Sequence, residues 1–304
     1  MHQHTLGVKN MRRSMLSLGL AALVILIWPA TALAAASDPL LGTSGNYAVL
    51  AAATITNTGP SWITGQLALS PGTSVTGFPP GTVGHEDIAN GASLQARTDA
   101  TAAYNRAAGE PGCTTAGVEL GSTTLGPGLY CNGTMAISAG LTLTLNGGGI
   151  YIFQIASTLI TGASSRVLLI NGAQPCDIFW QVGSSATIGA STTFVGTILA
   201  NTSITMITAA TLNGRALAGL IAGSGALTLD TNRIIQPGGC PGGFTTYYPP
   251  PAFVPPPLGN VLPATLGVPS ELRGGLPWLL LLGVGAGLGA TALGVSARRR
   301  RRSA

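Results

Sequence analysis

Side chains able to do acid–base, nucleophilic or metal chemistry are sparse in this sequence of 304 residues. It holds three histidines, four cysteines and only 8% charged residues, where a soluble globular protein carries about 25%. Beyond residue 37 a Ser-His-Asp arrangement could draw only on His85. No Gly-x-Ser-x-Gly elbow, Gly-rich phosphate loop ending in Lys, or His-Glu-x-x-His pair occurs. The acids between residues 37 and 258 (Asp38, Glu86, Asp87, Asp99, Glu110, Glu119, Asp177 and Asp230) are scattered, whereas glycosidic chemistry needs two facing carboxylates. No two cysteines stand at zinc-ligand spacing. The pattern argues against an enzyme and implies no cofactor and no metal.

Hydroxyls are what the sequence has in excess. Residues 37–240 contain 29 Thr against 13 charged residues. Thr is a good strand former on a half-exposed sheet, which explains much of the count. The formal net charge of +5 belongs to the ends, because Lys9, Arg12 and Arg13 open the chain and Arg298 to Arg302 nearly close it. Between residues 37 and 258 five arginines face eight acids and there is no Lys. A nucleic-acid binder needs a clustered basic face, so no nucleic-acid partner is expected.

The elements that would have to position these hydroxyls are short. Tyr47 to Leu50, Leu141 to Leu145, Ile150 to Ile155, Val167 to Ile170, Ile178 to Val182, Phe194 to Leu199 and Ala226 to Leu229 are short runs rich in Val, Ile, Leu and Thr, separated by Gly, Ser and Asn turn formers. Each reads as a strand. The segments between them are too short for crossover helices, so a parallel β-solenoid fits better than a doubly wound sheet. A β-sandwich is the alternative. One stretch differs: Ile88, Ala92, Ala96, Ala100, Ala103 and Ala107 recur at helical spacing. The spacing predicts a helix over about 86–108, with Glu86 and Asp87 at its N-terminus. Its Ala-lined face would let it pack closely along the solenoid.

Four cysteines in an exported region suggest disulfides, with three possible connectivities. Cys113 and Cys131 bracket a short excursion and are the preferred pair, which leaves Cys176 for Cys240.

The termini carry targeting features. Residues 1–36 read as a signal peptide, with a basic start, an apolar stretch and small residues at the cleavage point. The folded domain is expected over 37–236 and a Pro/Gly-rich linker over 237–275, containing two triple-proline runs. Residues 276–296 are long and apolar enough for a transmembrane helix, and the Arg-rich tail 297–304 places that end in the cytoplasm. The expected location is the extracellular face of the cell membrane, with the lipid bilayer as one partner. Leu262-Pro-Ala-Thr-Leu266 is similar to a Gram-positive sorting signal, but Leu266 stands where that signal has Gly. A plain membrane anchor is favoured.

Leu41-Gly-Thr-Ser-Gly-Asn-Tyr-Ala-Val-Leu50, Thr56-Asn-Thr-Gly59, Phe78-Pro-Pro-Gly81 and Pro127-Gly-Leu-Tyr-Cys131 form a distinctive set. Tyr151-Ile-Phe-Gln154, Asn171-Gly-Ala-Gln174, Phe179-Trp-Gln-Val182 and Asn213-Gly-Arg-Ala-Leu217 complete it. Together they resemble the ice-binding-like (DUF3494, type 1 ice-binding protein) family of microbes, over nearly all of 40–236. The resemblance implies an irregular right-handed parallel β-solenoid, three-sided and mostly β, with one long helix packed alongside. It implies that a flat Thr/Ser-rich face binds an ice crystal surface without catalysis.

Many family ice faces carry Thr-Ala/Gly-x-Thr/Asn. Thr208-Ala-Ala-Thr211 matches, and Thr161-Gly-Ala-Ser164 matches except at Ser164. The expected ice-contact residues are therefore Thr161, Ser164, Thr208 and Thr211, with Thr187, Thr192 and Thr205 as neighbours. A surface adhesin with cell-wall or glycan contact is the rival reading on the same scaffold.

Overall fold

Short apolar strands cannot each close a core, so they stack. In the computed structural model, which describes residues 36–239, every strand pairing is parallel, in one seven-stranded and one fourteen-stranded sheet. Each expected strand is present within a residue of its predicted ends; Ile178–Val182 matches without change. The fourteen-stranded sheet comprises two ladders. They join where Thr193–Ala200 and Thr211–Leu217 run across a corner from one to the other. Gly196 and Gly214 are register partners at that corner. A Cβ on Gly214 would stand 1.8 Å from the Gly196 carbonyl oxygen, so the strands bend there only because neither residue has a side chain.

The chain enters the stack two rungs from one end. Tyr47–Ala51 pairs with Gln66–Leu69 on one side, and Gln66–Leu69 pairs with His85–Ile88. The helix, α1 (Gly91–Gly109), then leads to Thr114–Thr115 at the opposite end of the ladder. From there successive coils build back until Thr211–Leu217 pairs with Tyr47–Ala51. At 1.5 Å per residue α1 spans ~28 Å, enough to run past about six rungs spaced ~4.8 Å.

The helix starts later than its apolar spacing suggests. Glu86 and Asp87 lie on the strand His85–Ile88 and do not occupy a first helical turn. Asn90 is the cap instead: its side chain accepts from the Ser93 amide at 2.9 Å, and the Ser93 hydroxyl accepts from the Asn90 amide at 3.1 Å. Asp87 therefore serves the strand and the cap. At the other end Gln154 Nε2 donates to the carbonyls of Ala107 and Glu110, both at 2.8 Å.

Two apolar cores result. Inside the stack Tyr130, Phe153, Trp180 and Phe194 form a column, with ring centroids 5.5, 4.0 and 4.9 Å apart along successive rungs. Outside it, Ala96, Ala100, Ala103 and Ala107 of α1 press on Leu50, Ile152, Phe179, Leu199 and Leu217. The strands beneath α1 are thus covered on both faces, which is why Tyr47–Ala51 and Ile178–Val182 are buried at every position.

Cys113 and Cys131 form a disulfide, as expected. Cys176 is also disulfide-bonded, and its expected partner Cys240 lies outside the described residues. So do residues 1–35 of the expected signal segment, most of the linker and the apolar span 276–296. Among the described residues no helix is long and apolar enough to cross a membrane.

Candidate functional site

In four strands of the seven-stranded sheet, Met135–Ile137, Ala186–Ile188, Ile204–Met206 and Ala226–Asp230, two buried apolar residues flank a central one turned outward. Ile55-Thr-Asn57 and Leu159-Ile-Thr161 repeat the burial with a polar second flank, and Ser74–Thr76 at the sheet edge has no buried residue. Parallel register stacks those central residues into one row. Thr187 pairs with Thr205, Thr205 with Thr228, Thr228 with Thr56, and Thr56 with Thr76. In the other direction the row continues through Ile160 and Ala136. Five threonines therefore stand on consecutive rungs, ~4.8 Å apart. None of their hydroxyls bonds to another protein group among the described residues. The positions two residues earlier form a second row containing Thr158, Ser185, Ser203, Thr54 and Ser74. Ser185 and Ser203 are partly committed, since each hydroxyl accepts a backbone N–H of the next coil at 3.2 Å. Asp230 is the one charged residue on the strands of this sheet. It lies at the edge, where its carboxylate accepts from the Thr208 and Thr231 hydroxyls.

The seven expected contact residues separate into four environments. Thr187 and Thr205 lie together in the central row, half-exposed. Ser164 and Thr208 are exposed at the corner that follows the sheet. Thr211 belongs to another ladder, between Thr193 and Arg233. Thr161 and Thr192 are 3% and 1% exposed and face inward. The Thr161 hydroxyl accepts from the Gly189 amide, and Thr192 donates to the Gly162 carbonyl, both at 2.9 Å. Burial removes these two from any contact surface.

The two four-residue motifs are also out of register. The Ser164 amide donates to the Ala190 carbonyl and the Ser191 amide to the Thr208 carbonyl, so Thr208 stacks on Ala190. Thr161, two positions earlier in its own coil, packs beside Ile188 and Gly189. The motif aligns sequence that the stack does not.

Thr56, Thr76 and Thr228 escaped the sequence reading. Their signal was present as an apolar residue followed by Thr in Ile55-Thr56, Val75-Thr76 and Leu227-Thr228, with a buried residue next in the first and third. What placed them in one row was register between coils, which local spacing does not contain.

Chemically this surface can order water. Each Thr presents a hydroxyl that hydrogen-bonds water and a methyl that limits how that water orients. The rigid backbone fixes the interval between them. No cluster of metal-ligating side chains occurs among the described residues.

Comparison with known proteins agrees in both sequence and structure. A family model described as ice-binding-like matches residues 49–235. An ice-binding protein of Nostoc sp. (strain HG1) is 44% identical over 207 residues, covering 66% of this chain and 75% of the relative. One from Flavobacterium frigoris (strain PS1) is 34% identical over 217 residues, covering 65% and 76%. The crystal structure of an ice-binding protein from an Antarctic biological consortium superimposes with a TM-score of 0.63 at 43% identity, covering 66% of this chain and 92% of that one. That of the ice-binding protein from the ascomycete Antarctomyces psychrotrophicus gives 0.61 at 34% identity, covering 65% and 97%.

Proposed function

This chain belongs to the ice-binding-like family, and on that premise we propose that it binds ice through the outward face of its seven-stranded sheet, without catalysis. The observation that carries the reading is the row Thr187, Thr205, Thr228, Thr56 and Thr76, whose hydroxyls have no partner in the described protein. Waters held along such a row sit at a fixed interval and can join a crystal lattice, whereas exposed charges would orient them otherwise. The test is ice-affinity partitioning measured beside melting temperature. Thr205→Tyr with Thr228→Tyr should bring partitioning near that of a non-binding control, and surface changes of this kind usually move stability by no more than ~0.5 kcal/mol. Thr192→Val should do the reverse: it leaves partitioning intact and costs about 1–2 kcal/mol, because buried groups lose their hydrogen-bond partner. Unchanged partitioning in the double Tyr variant would rule out this face.

We further propose that the domain is exported and held on the outer side of the cell membrane. The reading rests on the basic and apolar start of the sequence and on the uncharged span 276–296 followed by Arg298 to Arg302. Protease added to intact cells should remove the domain and spare the Arg-rich tail. A protected domain with a cut tail overturns this topology.

A further inference from the structure

The ladder that shares the Gly196–Gly214 corner has a different outward chemistry. Arg166, Thr193, Thr211 and Arg233 occupy the outward position of four successive rungs, and Trp62 stands on the next. With rungs ~4.8 Å apart, the two arginine stems are ~14 Å from each other. The Arg233 guanidinium lies over the Trp62 ring, 4.8 Å from its centroid, which holds it against the sheet. Neither Arg166 nor Arg233 forms an ion pair with a described residue. The remaining outward positions of this ladder, such as Thr144, Leu168 and Asn213, include no acid. In a region where eight acids outnumber five arginines, this row inverts the local charge.

We propose that this row binds an acidic polysaccharide of the uronic-acid class, lying along the ladder across the rungs. Arg166 and Arg233 take carboxylates of two sugar residues, and Thr193 and Thr211 meet hydroxyls between them. A guanidinium suits a carboxylate because its planar fork donates two parallel hydrogen bonds. Both threonine hydroxyls are without a partner among the described residues, so contact with the glycan breaks no internal bond.

Two charges are too few for the other anionic polymers. Nucleic-acid affinity grows with the number of phosphates neutralised, and attraction to an anionic bilayer likewise grows with the number of basic residues at the surface. A polysaccharide compensates for weak single sites by offering many along one chain to several copies of the protein. The inference stands on a separate ladder and does not depend on which face takes ice.

The full-length protein run in native gels containing polygalacturonate should be retarded, with the effect fading as salt rises; neutral dextran should leave it unaffected. Arg166→Gln and Arg233→Gln should each weaken retardation roughly two- to fivefold, the range of exposed charge pairs. Thr193→Glu sets a carboxylate between the arginines and should weaken it as well. Melting curves check folding; if Arg233→Gln unfolds after losing Trp62, the variants Arg166→Gln and Thr193→Glu decide, since neither touches that contact. Equal retardation by dextran overturns the proposal, as does undiminished retardation of the Arg166→Gln, Thr193→Glu double variant. Equally strong retardation by single-stranded DNA, or equal co-sedimentation with phosphatidylserine vesicles, overturns it in favour of a general anion site.

Discussion

Asp87 ties the strand His85–Ile88 both to Tyr47 and to the Asn90 cap of α1. Tyr47 donates to its Oδ2 at 2.7 Å, Asn90 Nδ2 donates to its Oδ1 at 2.7 Å, and His85 Nε2 lies 3.5 Å from Oδ1. Burial alone would raise this carboxyl, but the bonds from Tyr47 and Asn90, with His85 nearby, outweigh it and hold the group below the usual aspartate value. The same contacts work against the phenol, and burial followed by the Asp87 bond pushes Tyr47 well above its ordinary range. A depressed carboxylate contributes stability above its unfolded pKa of about 4, and that contribution is lost as pH falls through the lower folded value. Asp87→Asn should therefore lower the melting temperature at pH 7. It should also make the loss of melting temperature between about pH 5 and pH 3 shallower than in the parent. A parallel offset of the two curves across that range would show that Asp87 acts through packing and not through its charge.

At the scale of the element, α1 is held by closeness. Its buried stripe of Ala96, Ala100, Ala103 and Ala107 is fully covered, and Ala brings a helix backbone nearer to a sheet than any larger side chain allows. Apolar periodicity is weak in such a helix; most of its stability comes from contact with the strands beneath, together with the Asn90 cap. Ala100→Leu should cost about 1–3 kcal/mol through overpacking. Ala108→Leu, on the exposed side, should stay within ~0.5 kcal/mol. Denaturant melts of the two variants make the comparison, and equal stability would mean the contact yields more readily than it is packed to do.

For the whole molecule, the chain path sets the weak point. Because α1 carries the chain to the far end of the stack before the later coils form, Thr114–Thr115 becomes an edge strand of two residues, paired on one side only with Gly128–Asn132. The Cys113–Cys131 disulfide ties this edge to its neighbour across a sequence separation of 18. Closing a loop of that size is worth about 3 kcal/mol in the chain-entropy account. Replacing both cysteines by Ser should lower the unfolding free energy by about that amount, with amide exchange rising first over residues 114–125. Ice partitioning of the folded variant should persist, since Thr205, Thr228 and Thr56 stand several rungs away. Exchange that rises uniformly along the chain would place the effect of the disulfide on the stack as a whole.

The sequence by itself determined the elements and the family. Short runs of apolar and β-branched residues between turn formers specify strands wherever they fold, the Ala stripe specifies a close-packed helix, and the scarcity of charge suits a hydroxyl-rich surface. Those features are local, so they are legible one segment at a time. The tertiary structure alone decided which threonines stand together. Thr56 and Thr228 come from opposite ends of the described domain, yet they are register partners because the last coil closes on the first. Thr161 and Thr208 occupy similar motifs, but one is buried and the other lies exposed at a corner. Register between coils follows from core stacking and from the length of each corner, and a shift of one residue exchanges the inward and outward sets. A row of side chains perpendicular to the strands therefore exists only once the coils have packed.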